Sequence, residues 1–169
     1  MTFAPFLSAS PVIQIHILFA LVCLATGPLS VFGRITWRLH RGLGYVFATA
    51  IVGLALTGLF IPSSELALIG PFGPIHLLSV WVLWGIFNGI RLAGAGRLAE
   101  HRVEMKWIFF GAIGVPGLLT FMPGRVVNRM VFGEPSQLGF AVIAAGLLVL
   151  VLLWRLDRGA TRRRLKFSS

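Results

Sequence analysis

The sequence predicts an all-α polytopic membrane protein: a four-helix transmembrane bundle of two duplicated hairpins, with a fifth transmembrane helix beside it. The first observation is composition, since 57% of the 169 residues are hydrophobic, 12% are charged and the mean hydropathy is +0.90. A soluble domain of this size does not carry so much apolar surface. The other two observations are a series of apolar segments of membrane-crossing length and a repeated spacing of histidines.

Five apolar segments approach the length of about 20 helical residues that a bilayer core requires. We predict membrane spans at 11–32, 42–61, 74–92, 107–121 and 138–154, followed by a basic cytoplasmic tail at 155–169. Ser10-Pro11 is a strong helix start, because serine suits the N-cap and proline the first helical position. Gly73-Pro74 is a weaker start of the same kind.

The basic residues collect in alternate loops. One side carries Arg34, Arg38 and Arg41, then Arg91, Arg97, Arg102 and Lys106, then the tail from Arg155, whereas the other side has only Arg125 and Arg129. By the positive-inside rule, the amino terminus is outside and the carboxyl terminus is in the cytoplasm of a bacterial inner membrane. Topology therefore accounts for the net charge of +10, and no nucleic-acid partner is expected.

The four histidines occupy matching places in two predicted helical hairpins. His16 and His40 are 24 positions apart in the first hairpin, and His76 and His101 are 25 apart in the second. The sequence next to the histidines repeats as well. His16-Ile17-Leu18 corresponds to His76-Leu77-Leu78, and His40-Arg41 corresponds to His101-Arg102. Parallel repeats would bring His16 level with His76, the outer pair, and His40 level with His101, the inner pair. In an up-down-up-down bundle the members of each pair face each other across the axis.

Opposed imidazoles at two depths are what two bis-histidine b haems require, and ionisable groups in a membrane span usually mark a function. Arg41 and Arg102 could neutralise haem propionates, or they could equally serve as topology markers. Zinc or copper at the inner pair stays open, with Glu100 or Glu104 adding a carboxylate, although two imidazoles alone are too few ligands. The lone Cys23 excludes disulfides and cysteine-ligated metal centres within this chain.

The segment from His16 to about Met122 resembles a bacterial family of small predicted membrane proteins, domain-of-unknown-function family 2306. The matching text is the histidine early in the first span, Leu39-His40-Arg41-Gly42-Leu43-Gly44-Tyr45, His76 opening the third span, and His101-Arg102 with Met105-Lys106-Trp107. The resemblance implies a membrane protein and brings no function with it.

The arrangement is also similar to the cytochrome b561 type of electron carrier, in which histidines on alternate helices of a four-helix core hold two b haems. Carried over to this chain, the resemblance implies that His16 with His76 holds an outer haem and His40 with His101 an inner one. The predicted spans depart from that pattern at the inner pair, because both inner histidines precede their helices.

The sequence leads to two main hypotheses of function. The first is transmembrane electron transfer through one or two b haems, from a quinol or another redox partner on one face to an acceptor on the other. The second is a non-catalytic accessory subunit of a larger membrane complex, with structural histidines that serve as hydrogen-bonding links or as lipid and quinone contacts. Separately, Asn88 is expected to be a buried amide that bonds a neighbouring helix. A small-molecule transporter is a third, with no polar midplane to support it.

Overall fold

The computed structural model describes residues 2–63, 68–133 and 135–166, with side chains as far as Arg155. All named elements in these ranges are helical. They are α1 (Ala4–Leu7), α2 (Pro11–Phe32), α3 (Trp37–Leu59), α4 (Pro74–Gly94), α5 (Leu98–Ile108), a π-helical segment (Phe109–Gly114), α6 (Val115–Leu119), α7 (Val126–Phe132) and α8 (Leu138–Lys166). Residues 6–113 form one compact unit, and residues 2–5 with 114–166 form another.

Four helices in the described part of the chain are long and apolar enough to cross a membrane. They are Pro11–Phe32, Trp37–Leu59, Pro74–Gly94 and Leu138–Arg155. The first agrees with the predicted span residue for residue, and the third and fourth agree closely with the predictions for 74–92 and 138–154. The predicted span at 107–121 is divided between α5, the π-helical segment and α6, so a fifth crossing stays a prediction.

The second helix begins earlier than predicted, at Trp37 instead of residue 42. Thr36 occupies the N-cap position with an extended backbone, and the polar first turn that follows is helical although its hydropathy is low. The prediction that the inner histidines precede their helices is therefore wrong. His40 lies in the first turn of α3, and His101 lies in the first turn of α5.

In the unit of residues 6–113, α2 packs on α3, α3 on α4, α4 on α5, and α5 returns to α2. The core of this unit is apolar and contains Ile51 and Ile108, which are fully buried, together with Cys23 and Phe47. Large apolar side chains elsewhere on these helices are exposed, among them Leu24, Trp84 and Phe87. In a membrane protein such exposed apolar surface faces lipid.

Glycines allow the helices of this unit to approach closely. The ring of Phe19 lies directly over Gly53, where a β-carbon would come within 2.5 Å of it. On α4, Gly85 and Gly89 face α5, and a β-carbon on Gly89 would overlap the methyl group of Met105. The spacing Gly85-x-x-x-Gly89 is the small-residue pattern that favours close packing of membrane helices.

The turn between α4 and α5 consists of residues 95–97 alone. Gly96 has φ +73°, in the left-handed region that only glycine adopts freely. Backbone hydrogen bonds from Ala95 to Arg91 (3.0 Å) and from Arg97 to Leu92 (2.9 Å) close the end of α4. The first turn of α5 is thus fixed against the last turn of α4.

In the unit of residues 2–5 and 114–166, the side chain of Asn128 is fully buried. Its amide nitrogen donates to the carbonyls of Phe121 (2.7 Å) and Ser136 (3.0 Å), and its oxygen accepts from the Ser136 amide (3.0 Å). Asn128 therefore ties α7 to the chain segments before and after it. Leu118 of α6 packs on Gly146 of α8 in the same unit.

Candidate functional site

The inner pair is brought together, with the imidazole centroids of His40 and His101 6.4 Å apart and the ring planes at 88°. The Nδ1–H group of His101 donates a 2.8 Å hydrogen bond to the carbonyl of Gly89 on α4. Glycine at position 89 lets α5 approach closely enough for this bond. Three helices, α3, α4 and α5, thus meet at the inner pair.

The bond to Gly89 fixes the tautomer of His101. A carbonyl oxygen only accepts, so Nδ1 carries the proton and, in the neutral ring, the lone pair of Nε2 is free. A hydrogen bond of this kind from the other ring nitrogen is the usual support of a metal-bound histidine. Because a metal–imidazole bond is about 2 Å long, two rings on opposite sides of one ion have centroids about 6 Å apart. The inner pair has this separation.

The charged residues around the inner pair are exposed. The Arg41 guanidinium lies over the ring of Tyr45, 5.8 Å from its centroid, and Arg102 is exposed on α5. Arg97 donates through two nitrogens to Glu100, with an Nε–Oε1 distance of 2.6 Å. Hydrogen bonding from Arg97 lowers the pKa of the Glu100 carboxyl. The carboxylate of Glu100 is therefore already paired with the guanidinium of Arg97.

A metal ion other than haem iron would need further ligands at the inner pair. Within the described residues, no three histidine, cysteine, aspartate or glutamate side chains gather at one point. Glu100 is held by Arg97, and Glu104 lies beside Gly85 of α4, where a β-carbon would be 3.3 Å from its carboxylate oxygen. The geometry therefore favours a two-ligand arrangement over a zinc or copper site completed by these carboxylates.

His16 of the outer pair lies beside Gly58, near the end of α3. A β-carbon at Gly58 would stand 3.0 Å from the hydroxyl of Ser79 and 3.5 Å from the imidazole of His16. Ser79 is one turn after His76 on the buried face of α4, and His76 is only 5% exposed. Polar groups from α2, α3 and α4 thus gather at one end of an otherwise apolar core.

The two imidazoles of the outer pair have opposite tautomers. The hydroxyl of Thr57 donates to the Gly53 carbonyl at 2.7 Å, so at 3.0 Å it accepts from Nδ1–H of His16, and we assign the free lone pair of His16 to Nε2. In contrast, the backbone N–H of Gly73 donates to Nδ1 of His76 at 3.0 Å. The proton of neutral His76 is then on Nε2. A protonated ring nitrogen has no free lone pair with which to bind iron.

Replacement of Thr57 by valine should remove the link between α2 and α3 at His16. Valine keeps the branched shape of threonine, so the expected loss is the hydrogen bond, about 0.5–1.5 kcal/mol of unfolding free energy. Unfolding in detergent micelles, followed by tryptophan fluorescence, measures this loss. Thr49→Val on the exposed part of the same helix is the matched control and should change the stability by less than about 0.5 kcal/mol.

Several contacts of the candidate sites escaped sequence reasoning. Thr57, Ser79 and Gly89 complete the surroundings of the histidines, and only the spacing of Gly85 and Gly89 signalled such a role. The prediction that Asn88 bonds a neighbouring helix is wrong, because its side-chain oxygen accepts from Arg91 of the same helix at 3.2 Å.

Comparison with known protein families gives a match over most of the chain. A family model described as "Predicted membrane protein (DUF2306)" matches residues 13–156. No curated protein and no solved structure matches the chain. The similarity to the cytochrome b561 type therefore has no support from these comparisons.

Proposed function

Since the chain belongs to the DUF2306 family of predicted membrane proteins, we propose that it transfers electrons within the membrane through a b haem held by His40 and His101. Haem b, when bound, supplies a one-electron centre. His40 and His101 would hold its iron, and the Gly89 carbonyl orients the ring of His101. The lipid bilayer and a redox partner at each face complete the proposal.

The observation that carries this proposal is the inner pair. The two imidazole centroids lie 6.4 Å apart, and the bond from His101 to Gly89 would leave Nε2 of that ring to hold iron. Arg41 and Arg102 follow the two histidines directly and are the candidates to pair with the propionates. The sequence favoured the outer pair for haem, whereas the hydrogen bonds favour the inner pair.

The proposal includes five crossings and two duplicated hairpins, α2 with α3 and α4 with α5. The charge distribution supports the fifth crossing, because Lys106 and Arg155 lie on the same side only if the chain crosses twice between them. Helical residues follow one another without a gap from Leu98 to Leu119, so the apolar residues after Lys106 continue a helix that has already begun. The amino terminus would then be outside and the carboxyl terminus in the cytoplasm.

A visible spectrum of the purified full chain tests the proposal. We expect reduced-minus-oxidised bands of a b-type haem in the wild type. His40→Ala and His101→Ala should each lower the haem content per protein more than about tenfold, because a bis-imidazole site loses an axial ligand. Arg41→Gln and Arg102→Gln should retain the bands with weaker haem retention.

The matched controls are His16→Ala and His76→Ala, which remove histidines of the outer pair and should leave the haem content unchanged. A wild-type protein without haem bands after expression with added haem precursor contradicts the proposal. Bands that persist in both inner-pair variants contradict the assignment of the ligands.

The second candidate, an accessory subunit with structural histidines, is favoured by the outer pair. His16 bonds α3 through Thr57, and His76 accepts from the backbone N–H group that precedes α4. Both bonds are of the kind that stabilises helix packing and helix ends. Co-purification of a larger complex that dissociates when His16 is replaced would support this role.

A further inference from the structure

We propose that the outer pair is a binding site for a membrane-soluble quinol, in which His16 accepts a hydrogen bond from the ligand and His76 donates one to it. This inference goes beyond the proposed function, because the outer and inner pairs lie near opposite ends of α3. The binding itself involves no haem, so it can be tested separately.

The outer pair lies at one end of an apolar core. His76 and Ser79 are 5% and 7% exposed in the first turns of α4, and the Ser79 hydroxyl and the His16 imidazole both lie beside Gly58 at the end of α3. The ring of Phe72 lies 5.0 Å from that of His76, edge to face, and itself stays half exposed. An apolar ligand with an aromatic body, arriving from lipid, would suit these surroundings.

The second nitrogens of the two outer imidazoles have opposite hydrogen-bonding roles. Nδ1 of each ring is used within the protein, by Thr57 for His16 and by Gly73 for His76. The remaining nitrogens are an acceptor on His16 and a donor on His76, at the same end of the unit. Two imidazoles that both offered a lone pair would suit a metal ion. One imidazole that accepts and one that donates instead suit a ligand group that donates and accepts hydrogen bonds at once.

A quinol hydroxyl is such a group, because its O–H donates to His16 while its oxygen accepts from His76. The carbonyl of the oxidised quinone can only accept, so it uses His76 and leaves His16 without a partner. One hydrogen bond fewer corresponds to about a threefold to tenfold weaker affinity. The site should therefore prefer the reduced ligand, which is the form that an electron-transfer protein takes from the membrane.

The test uses the full-length protein in lipid nanodiscs under anaerobic conditions, with decylubiquinol and decylubiquinone as probes. Dissociation constants are measured by quenching of tryptophan fluorescence. We expect the wild type to bind the quinol about threefold to tenfold more tightly than the quinone. His16→Leu should remove the preference by weakening quinol binding alone, and His76→Leu should weaken the binding of both forms.

Two further measurements keep the test sharp if a leucine variant folds poorly. Thr57→Val frees Nδ1 of His16 without touching the ligand and should reduce the preference, and ¹⁵N NMR of labelled histidine should find the Nδ1–H form of His16 beside the Nε2–H form of His76. His40→Ala, which is aimed at the proposed haem, should leave the quinol affinity unchanged.

Equal affinity of the wild type for both probes overturns the inference, as does a preference that survives in His16→Leu. The same tautomer on both rings would overturn it as well. If the wild type lacks haem but prefers the quinol, the proposed function fails and the binding site stands. If it contains haem but does not distinguish the probes, the binding site fails and the proposed function stands.

Discussion

Replacement of Asn128 by leucine is expected to lower the unfolding free energy of the protein by about 3 kcal/mol or more. The side chain is fully buried and makes three hydrogen bonds to backbone groups of Phe121 and Ser136. Leucine has a similar volume but leaves these groups without their partner, and each buried group left unpaired costs about 1–3 kcal/mol. Chemical unfolding in detergent micelles gives the difference.

Asn88→Leu is the matched control for this prediction. Asn88 is half buried and makes its one described side-chain hydrogen bond to the exposed Arg91, so its loss should cost less than about 1 kcal/mol. Similar losses in the two variants would mean that the network around Asn128 contributes little. A lower protease resistance confined to residues 114–155 in Asn128→Leu would agree with its place in the fold.

Replacement of Gly53 by alanine should destabilise the packing of α2 on α3 by about 1–3 kcal/mol, even though alanine is the better helix former. The new methyl group would stand within 2.5–2.7 Å of three atoms of the Phe19 ring. These atoms are the far edge of the Phe19 ring, so either the ring turns away and loses its packing on α3 or the two helices move apart. Thermal unfolding in micelles measures the effect.

Gly44→Ala is the control on the same helix, because nothing lies within 4 Å of its β-carbon position. We expect this variant to keep or slightly raise the stability, by up to about 1 kcal/mol. Phe19→Leu should rescue part of the loss in Gly53→Ala, so the double variant should be more stable than the sum of the single effects predicts. A strictly additive result would exclude the clash as the cause.

Sequence reasoning found the apolar helices and failed at their polar ends. The first span begins at Pro11 and ends at Phe32 as predicted, with proline at the start of the helix, although the hydroxyl of Ser10 makes no capping hydrogen bond. The starts of α3 and α5 were missed, because Arg38 and Arg41 lower the hydropathy of a turn that is helical all the same. A search for apolar segments detects the part of a helix that crosses lipid, but it does not detect the polar helical turns in the headgroup layer.

The histidine couples were found from the repeat, which orders residues by depth without any knowledge of packing. Their partners were not found, because Thr57 and Gly89 are chosen by the angle and distance at which neighbouring helices meet. The difference between the outer and inner pairs also depends on single hydrogen bonds, to Gly73 for His76 and to Gly89 for His101. A repeat in the text cannot reveal that its two ends carry protons on different ring nitrogens.

The short turn at residues 95–97 fixes the rotation of α5 about its own axis relative to α4. Each residue inserted in a helix rotates the remainder of that helix by about 100°, and a turn with a left-handed Gly96 has little slack to absorb such a rotation. A one-residue insertion there would swing the imidazole of His101 away from Gly89 and from its partner His40. A change of length in this hairpin should therefore separate the inner pair even where both helices still form.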